Sequence, residues 1–218
     1  MITDSKIRDI YTEIQKQLFY MIPEKWEKVY LYSSILERPN HTETGEMFFY
    51  YIPRGVLKKN PVNVYEIPAK FNINEEEYYK LTERLYAQIK KLRNVHIKLG
   101  KEKWYSVVIS LANFKFNVEY SYEDLNESRF NSYEKHIIFR YKYLDFPYTS
   151  YTRKEKRVIQ EYLQEARERT EVYSEAMYEA PFQTIKINSK DSNIKFVKDD
   201  ELKELQDKKN IKNQILKF

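Results

Sequence analysis

The 218-residue chain has no cysteine. Disulfides, thiolate metal sites and cysteine nucleophiles are therefore excluded, and a reducing compartment is permitted. It has only three glycines, none spaced as the phosphate-cradling loops of nucleotide-binding proteins require. Its three histidines, His41, His96 and His136, are isolated, with no second histidine at i+4 and no carboxylate in metal-ligand spacing. No serine lies in a Gly-x-Ser-x-Gly elbow. The longest wholly apolar run, Met47 to Ile52, is six residues, far below the ~20 that span a bilayer. The amino terminus, MITDSKIRDI, has acids where a signal peptide needs a basic and then an apolar region. These absences point to a cytoplasmic, soluble protein with no catalytic site, no metal and no cofactor.

What is present is a well-solvated globular balance, with 42% hydrophobic and 33% charged residues. Aromatics reach 16%, including 21 tyrosines, so much of the core and some contact surface must be aromatic. The net charge of +5 is spread thinly. Residues 1–150 carry 23 basic and 20 acidic side chains and residues 151–218 carry 15 and 13. Nucleic-acid binding usually requires a clustered basic stripe instead.

The stretch Met21 to Ile52 organises the chain. A helix over residues 5–22, with Ile7, Ile10, Ile14, Leu18 and Met21 on one face, ends at Pro23. From Trp26 the period changes to two, with Val29, Leu31 and Ile35 opposite Lys28, Tyr30 and Tyr32. The polar segment Glu37 to Glu46 reads as a hairpin loop before a second strand, Met47 to Ile52. Val62 to Ile67, between two prolines, reads as a third strand. Asn74 and Glu77 begin a helix that carries Tyr78, Leu81, Leu85, Ile89 and Leu92 and stops at Gly100. Trp104 to Leu111 and Phe114 to Tyr122 form a further hairpin around Ala112-Asn113, the second strand alternating between a buried and a wet face. Tyr133 to Leu144 fits both periods, and its polar stripe of Glu134, Lys135 and Arg140 favours a helix.

After Pro147, Thr152 and Glu155 make a capping box for a long charged helix over 152–178. QTIKIN and NIKFV suit a small hairpin, followed by a lysine-rich end. The expected fold is α+β: an antiparallel meander sheet of about five strands with helices packed on one face, a long C-terminal helix and a peripheral tail. The expected divisions are 1–150, the attached helix 151–180 and an extension 181–218 holding a small hairpin and a helix.

Two surface groups stand out. Glu119, Glu123, Asp124 and Glu127, flanked by Tyr120 and Tyr122, suit an acidic patch for a basic protein partner or a solvated edge. Lys90, Lys91, Arg93, Lys98, Lys101 and Lys103 form the densest basic group. A nucleic-acid-binding module using Lys90 to Lys103 is the alternative reading.

The run Ile22 to Tyr32, then Gly45 to Tyr51, Trp104, Tyr122-Glu123-Asp124-Leu125 and Tyr141 to Leu144 occur in an order that resembles the YezG-like immunity (antitoxin) family. That family includes an antitoxin of type VII secretion in staphylococci. The resemblance covers roughly residues 3–165; the chain runs past it and is mildly basic, whereas many nuclease inhibitors are acidic. It implies that residues 1–150 form the immunity domain. It also implies a cytoplasmic protein that binds a cognate secreted toxin, whose C-terminal domain is a nuclease in the staphylococcal case, and blocks it until export. Glu119, Tyr120, Tyr122, Glu123, Asp124 and Glu127 are then the expected toxin-binding residues. Nucleic acid and membrane are not expected partners, and the free protein is expected to be a monomer or weak dimer.

Overall fold

The computed structural model describes residues 4–38, 42–55, 60–112 and 115–176. Its contacts divide at Tyr122 and Glu123 into two units. The first opens with α1 (Asp4–Met21). The apolar stripe read from Ile7 to Met21 is buried, Ile14 and Leu18 completely. A sheet follows, built on β1 (Trp26–Ser34). A two-stranded ladder of β2 (Leu36–Glu37) and β3 (Glu43–Thr44) extends the connection to β4 (Met47–Pro53). This ladder lies within the segment expected to be only a polar loop. Gly45, beside it, has no room for a β-carbon, which would collide with the Ser34 carbonyl.

β5 (Val62–Asn63) is much shorter than the Val62 to Ile67 strand expected. Asn63 turns the chain instead, its side chain accepting from the Tyr65 amide at 3.0 Å and capping a 3-10 turn, Val64–Glu66. Pro68 then stands in the first turn of α2 (Ile67–Phe71), where its missing N–H has no partner to lose. α3 (Glu75–Lys98) begins where Asn74 accepts from the Glu77 amide and ends before Gly100, whose φ of +70° suits glycine. β6 (Ser106–Ala112) and β7 (Lys115–Ser121) complete the sheet. The Asn113 turn and Phe114 between them lie outside the described residues.

The strand order is β5-β4-β1-β6-β7, all neighbours antiparallel. One meander arm runs from β1 to β5; α3 then carries the chain back to the other edge of β1. Cross-strand pairing puts Leu31 opposite both Phe49 and Ile109, and Val29 opposite both Tyr51 and Leu111. These side chains form the core face with Phe116 and Val118. α1 and α3 pack against each other here, joined by hydrogen bonds from Gln17 to the Leu81 carbonyl and from Tyr78 to the Met21 carbonyl. Each fully buried Leu, Ile or Phe contributes about 1.5–3 kcal/mol.

The second face is wet only in part. Lys115 is exposed on β7, but Tyr32, Phe48 and Tyr50 are buried on the central strands. Tyr32 and Phe48 sit directly opposite and stack at 5.1 Å, with Tyr50 edge-on to Phe48 at 6.3 Å. Aromatic rings thus pack together and are buried where alternation predicts solvent.

In the second unit, α4 (Ser132–Tyr143) settles the ambiguous segment as helix. A reciprocal capping box of Asn131 and Glu134 starts it. α5 (Arg153–Ala176) follows, with Thr152 and Glu155 exchanging the two expected bonds at 2.8 and 3.3 Å. Ile137, Tyr151 and Ile159 form the local core. The end of the expected 152–178 helix, the small hairpin and the rest of the extension 181–218 lie outside the described residues.

Candidate protein-binding site

The expected site residues divide between the two units. Glu119 stands on β7 opposite Val108, half-buried on the face away from α1. Its neighbour Tyr120 faces the other way and is buried. Its hydroxyl is 2.6 Å from the Tyr11 hydroxyl and 3.4 Å from Nε2 of His96, and its ring packs at 5.3 Å from Trp104. Burial, reinforced by Tyr11, pushes its phenol well above the ordinary value. Tyr120 is core material that ties α1, α3 and β7 together. Tyr122 is half-buried, its phenol raised by burial and then by Glu102.

Glu123, Asp124 and Glu127 open the second unit. Asp124 accepts from the backbone and side-chain nitrogens of Asn126 at 2.9 and 3.0 Å, and the Glu127 amide donates to the Asp124 carbonyl at 3.1 Å. Asx-turn geometry of this kind needs a short side-chain acceptor. It gathers Asp124 and the exposed Glu127 into one turn. Such a turn can meet cations. Among the described residues no group of three His, Asp or Glu side chains could hold a metal ion, and no helix is long and apolar enough to cross a membrane.

The basic group Lys90 to Lys103 proves to be partly structural. Arg93 is 1% exposed, on the core side of α3. Its Nε donates to the Trp104 carbonyl at 2.9 Å, and its Nη1 reaches Glu37 at 3.0 Å and Glu43 at 3.3 Å. Lys103 pairs with the other oxygen of Glu37, and Lys90 lies 5.4 Å from the Tyr86 ring centre. The hydrogen bond from Lys103, against burial and with help from Arg93, holds the Glu37 carboxyl below its usual range. Reasoning from the sequence grouped Arg93 with the surface lysines. Its place four residues after Ile89, on the side of the apolar stripe, was the available signal.

A family model described as "Immunity protein YezG-like" matches residues 7–160, from the first turns of α1 into α5. The chain belongs to the YezG-like immunity protein family. Among its relatives is immunity protein YezG of Bacillus spizizenii, 32% identical over 140 residues, covering 64% of this chain and 83% of that protein. Immunity protein YezG of Bacillus subtilis is 27% identical over 139 residues, 63% of this chain and 87% of its own. The type VII secretion system protein EsaG of Staphylococcus aureus is 29% identical over 171 residues, 77% of this chain and its entire length. The family match therefore reaches into both units and includes all six expected contact residues.

Proposed function

We propose that this YezG-like protein is an antitoxin: it binds a cognate secreted toxin, a nuclease, in the cytoplasm of the producing cell and neutralises it without performing a reaction. Membership of an immunity protein family across residues 7–160 is the observation that carries this reading. Similarity to a type VII secretion system protein supports a toxin exported by that route. The acidic turn of Glu123, Asp124 and Glu127 in the second unit supplies a surface suited to a nuclease, and Glu119 and Tyr122 are proposed as contacts made by the first unit. Carboxylates there substitute for substrate phosphates and speed encounter with a basic site. A contact of ~1,600 Å² anchored by a few aromatic or arginine side chains is enough for tight inhibition.

The test is to co-express the chain with the nuclease domain of a secreted toxin of the producing cell and to titrate it against plasmid cleavage. Cleavage should stop near one antitoxin per toxin. A nuclease that stays fully active with the chain in excess would overturn the reading.

A further inference from the structure

Two tyrosines of the first unit have a fixed hydroxyl, one with its ring exposed and one half-buried. Tyr65 is 63% exposed, yet its hydroxyl donates to the Met47 carbonyl at 2.8 Å. Tyr86, on α3, donates to the Ser34 carbonyl at 3.1 Å. Both acceptors belong to the neck where the β2–β3 ladder leaves the sheet, closed by the Ser34 amide donating to the Glu46 carbonyl at 2.9 Å. Tyr79, 59% exposed, lies seven residues before Tyr86 on the same face of α3. Burial, then Tyr79 and then Glu46, raise the Tyr65 phenol, which puts the three groups in one another's field. The first unit thus presents a row of rings on a rigid scaffold.

Resting on the toxin-binding reading, we propose that Tyr65, Tyr79 and Tyr86 form a docking platform for arginine or lysine side chains of the toxin. Charge complementarity selects that occupant. Arg93 is buried beneath the patch; of the carboxylates that hold it, Glu37 also pairs with Lys103, and Glu37 and Glu43 reach solvent with side-chain exposures of 41% and 32%. Glu83, exposed on α3 between Tyr79 and Tyr86, adds a further negative charge. A surface of phenol faces rimmed by carboxylates attracts cations and repels phosphates. One ring already behaves this way, since Lys90 lies over Tyr86; no described residue sets a cation over Tyr65 or Tyr79. Because the Tyr65 and Tyr86 rings are held before binding, a partner loses little entropy in using them.

The full-length chain and the same toxin domain are used for the test. Wild-type binding is measured first, by calorimetry; absence of a complex overturns the antitoxin reading and this one with it. Where the complex forms, Tyr65→Ala with Tyr79→Ala should weaken it about 10- to 100-fold, as truncated aromatic anchors do. Tyr65→Phe, which keeps the ring and loses the tether, should weaken it less. Benzoylphenylalanine at position 79 should cross-link to a toxin peptide containing arginine or lysine. Unchanged affinity of the double variant, or a cross-link to an apolar or acidic peptide, overturns the platform and leaves the antitoxin reading intact. A melting curve of each variant checks that the fold is kept.

Discussion

A guanidinium that is 1% exposed persists in a protein interior only where its donors are met. Arg93 meets this in part, with the Trp104 carbonyl, Glu37 and Glu43, while Nη2 finds no acceptor among the described residues. Replacing it by alanine removes these charge-assisted bonds and leaves a cavity under the β2–β3 ladder. Because Glu37 and Glu43 retain access to water, the loss should be about 2–4 kcal/mol, below that of a fully buried ion pair. Urea unfolding of Arg93→Ala measures it, and Arg93→Met should recover the packing part. The pH dependence has a definite sign. The Glu37 carboxyl is held below its ordinary value of 4.5 in the fold, so its contribution is complete above about that pH and is lost as pH falls through the folded value. Glu155 behaves alike: burial pushes its carboxyl up, but the bonds from Thr152 and Arg140 outweigh this and hold it low. Unfolding curves from pH 6 to 3 should therefore flatten in Glu37→Gln and in Glu155→Gln, and further in the double variant.

At the scale of the element, helix starts are the features most readily tested. Asn131 and Glu134 satisfy two backbone donors of α4 reciprocally. Asn131→Ala should cost about 1 kcal/mol, read from thermal or urea unfolding of the second unit. This box matters because the interior of α4 is weakly patterned: Ile137, Phe139 and Tyr141 fit a strand as well as a helix. α1 was legible in the sequence because stripe and stop agree, and α3 because cap, stripe and stop do. The third strand was not, since proline reads as a boundary of either element and only the fold shows Pro68 opening a helix. The central strands misled for another reason. Alternation marks which residues share a face, but aromatic side chains such as Tyr32 and Phe48 can bury each other on the side expected to be wet. Of the expected contact residues, Tyr120 was legible as buried from its phase with Phe116 and Val118. The Asp124 turn was not, because its geometry depends on a local side-chain bond to Asn126.

For the whole molecule, the question is how a chain with a net charge of +5 would attract the basic nuclease proposed as its partner. Net charge governs only the distant field; within a Debye length of ~10 Å at 0.1 M salt, local groups decide the approach. Here basic side chains are partly consumed inside the fold, by Arg93 beneath the β2–β3 ladder and by Arg140 against Glu155. Acids such as Glu127 stand outside. If the acidic turn steers the toxin, replacing Glu123, Asp124 and Glu127 by lysine should slow association and weaken the complex. It should also flatten the dependence of affinity on salt, because fewer attractive pairs remain to be screened. Binding kinetics at 50 and 300 mM salt check this. A triple variant that associates at the wild-type rate, with the wild-type salt slope, would move the electrostatic contact away from this turn. The carboxylates around Tyr79 and Tyr86 would then be the next to reverse.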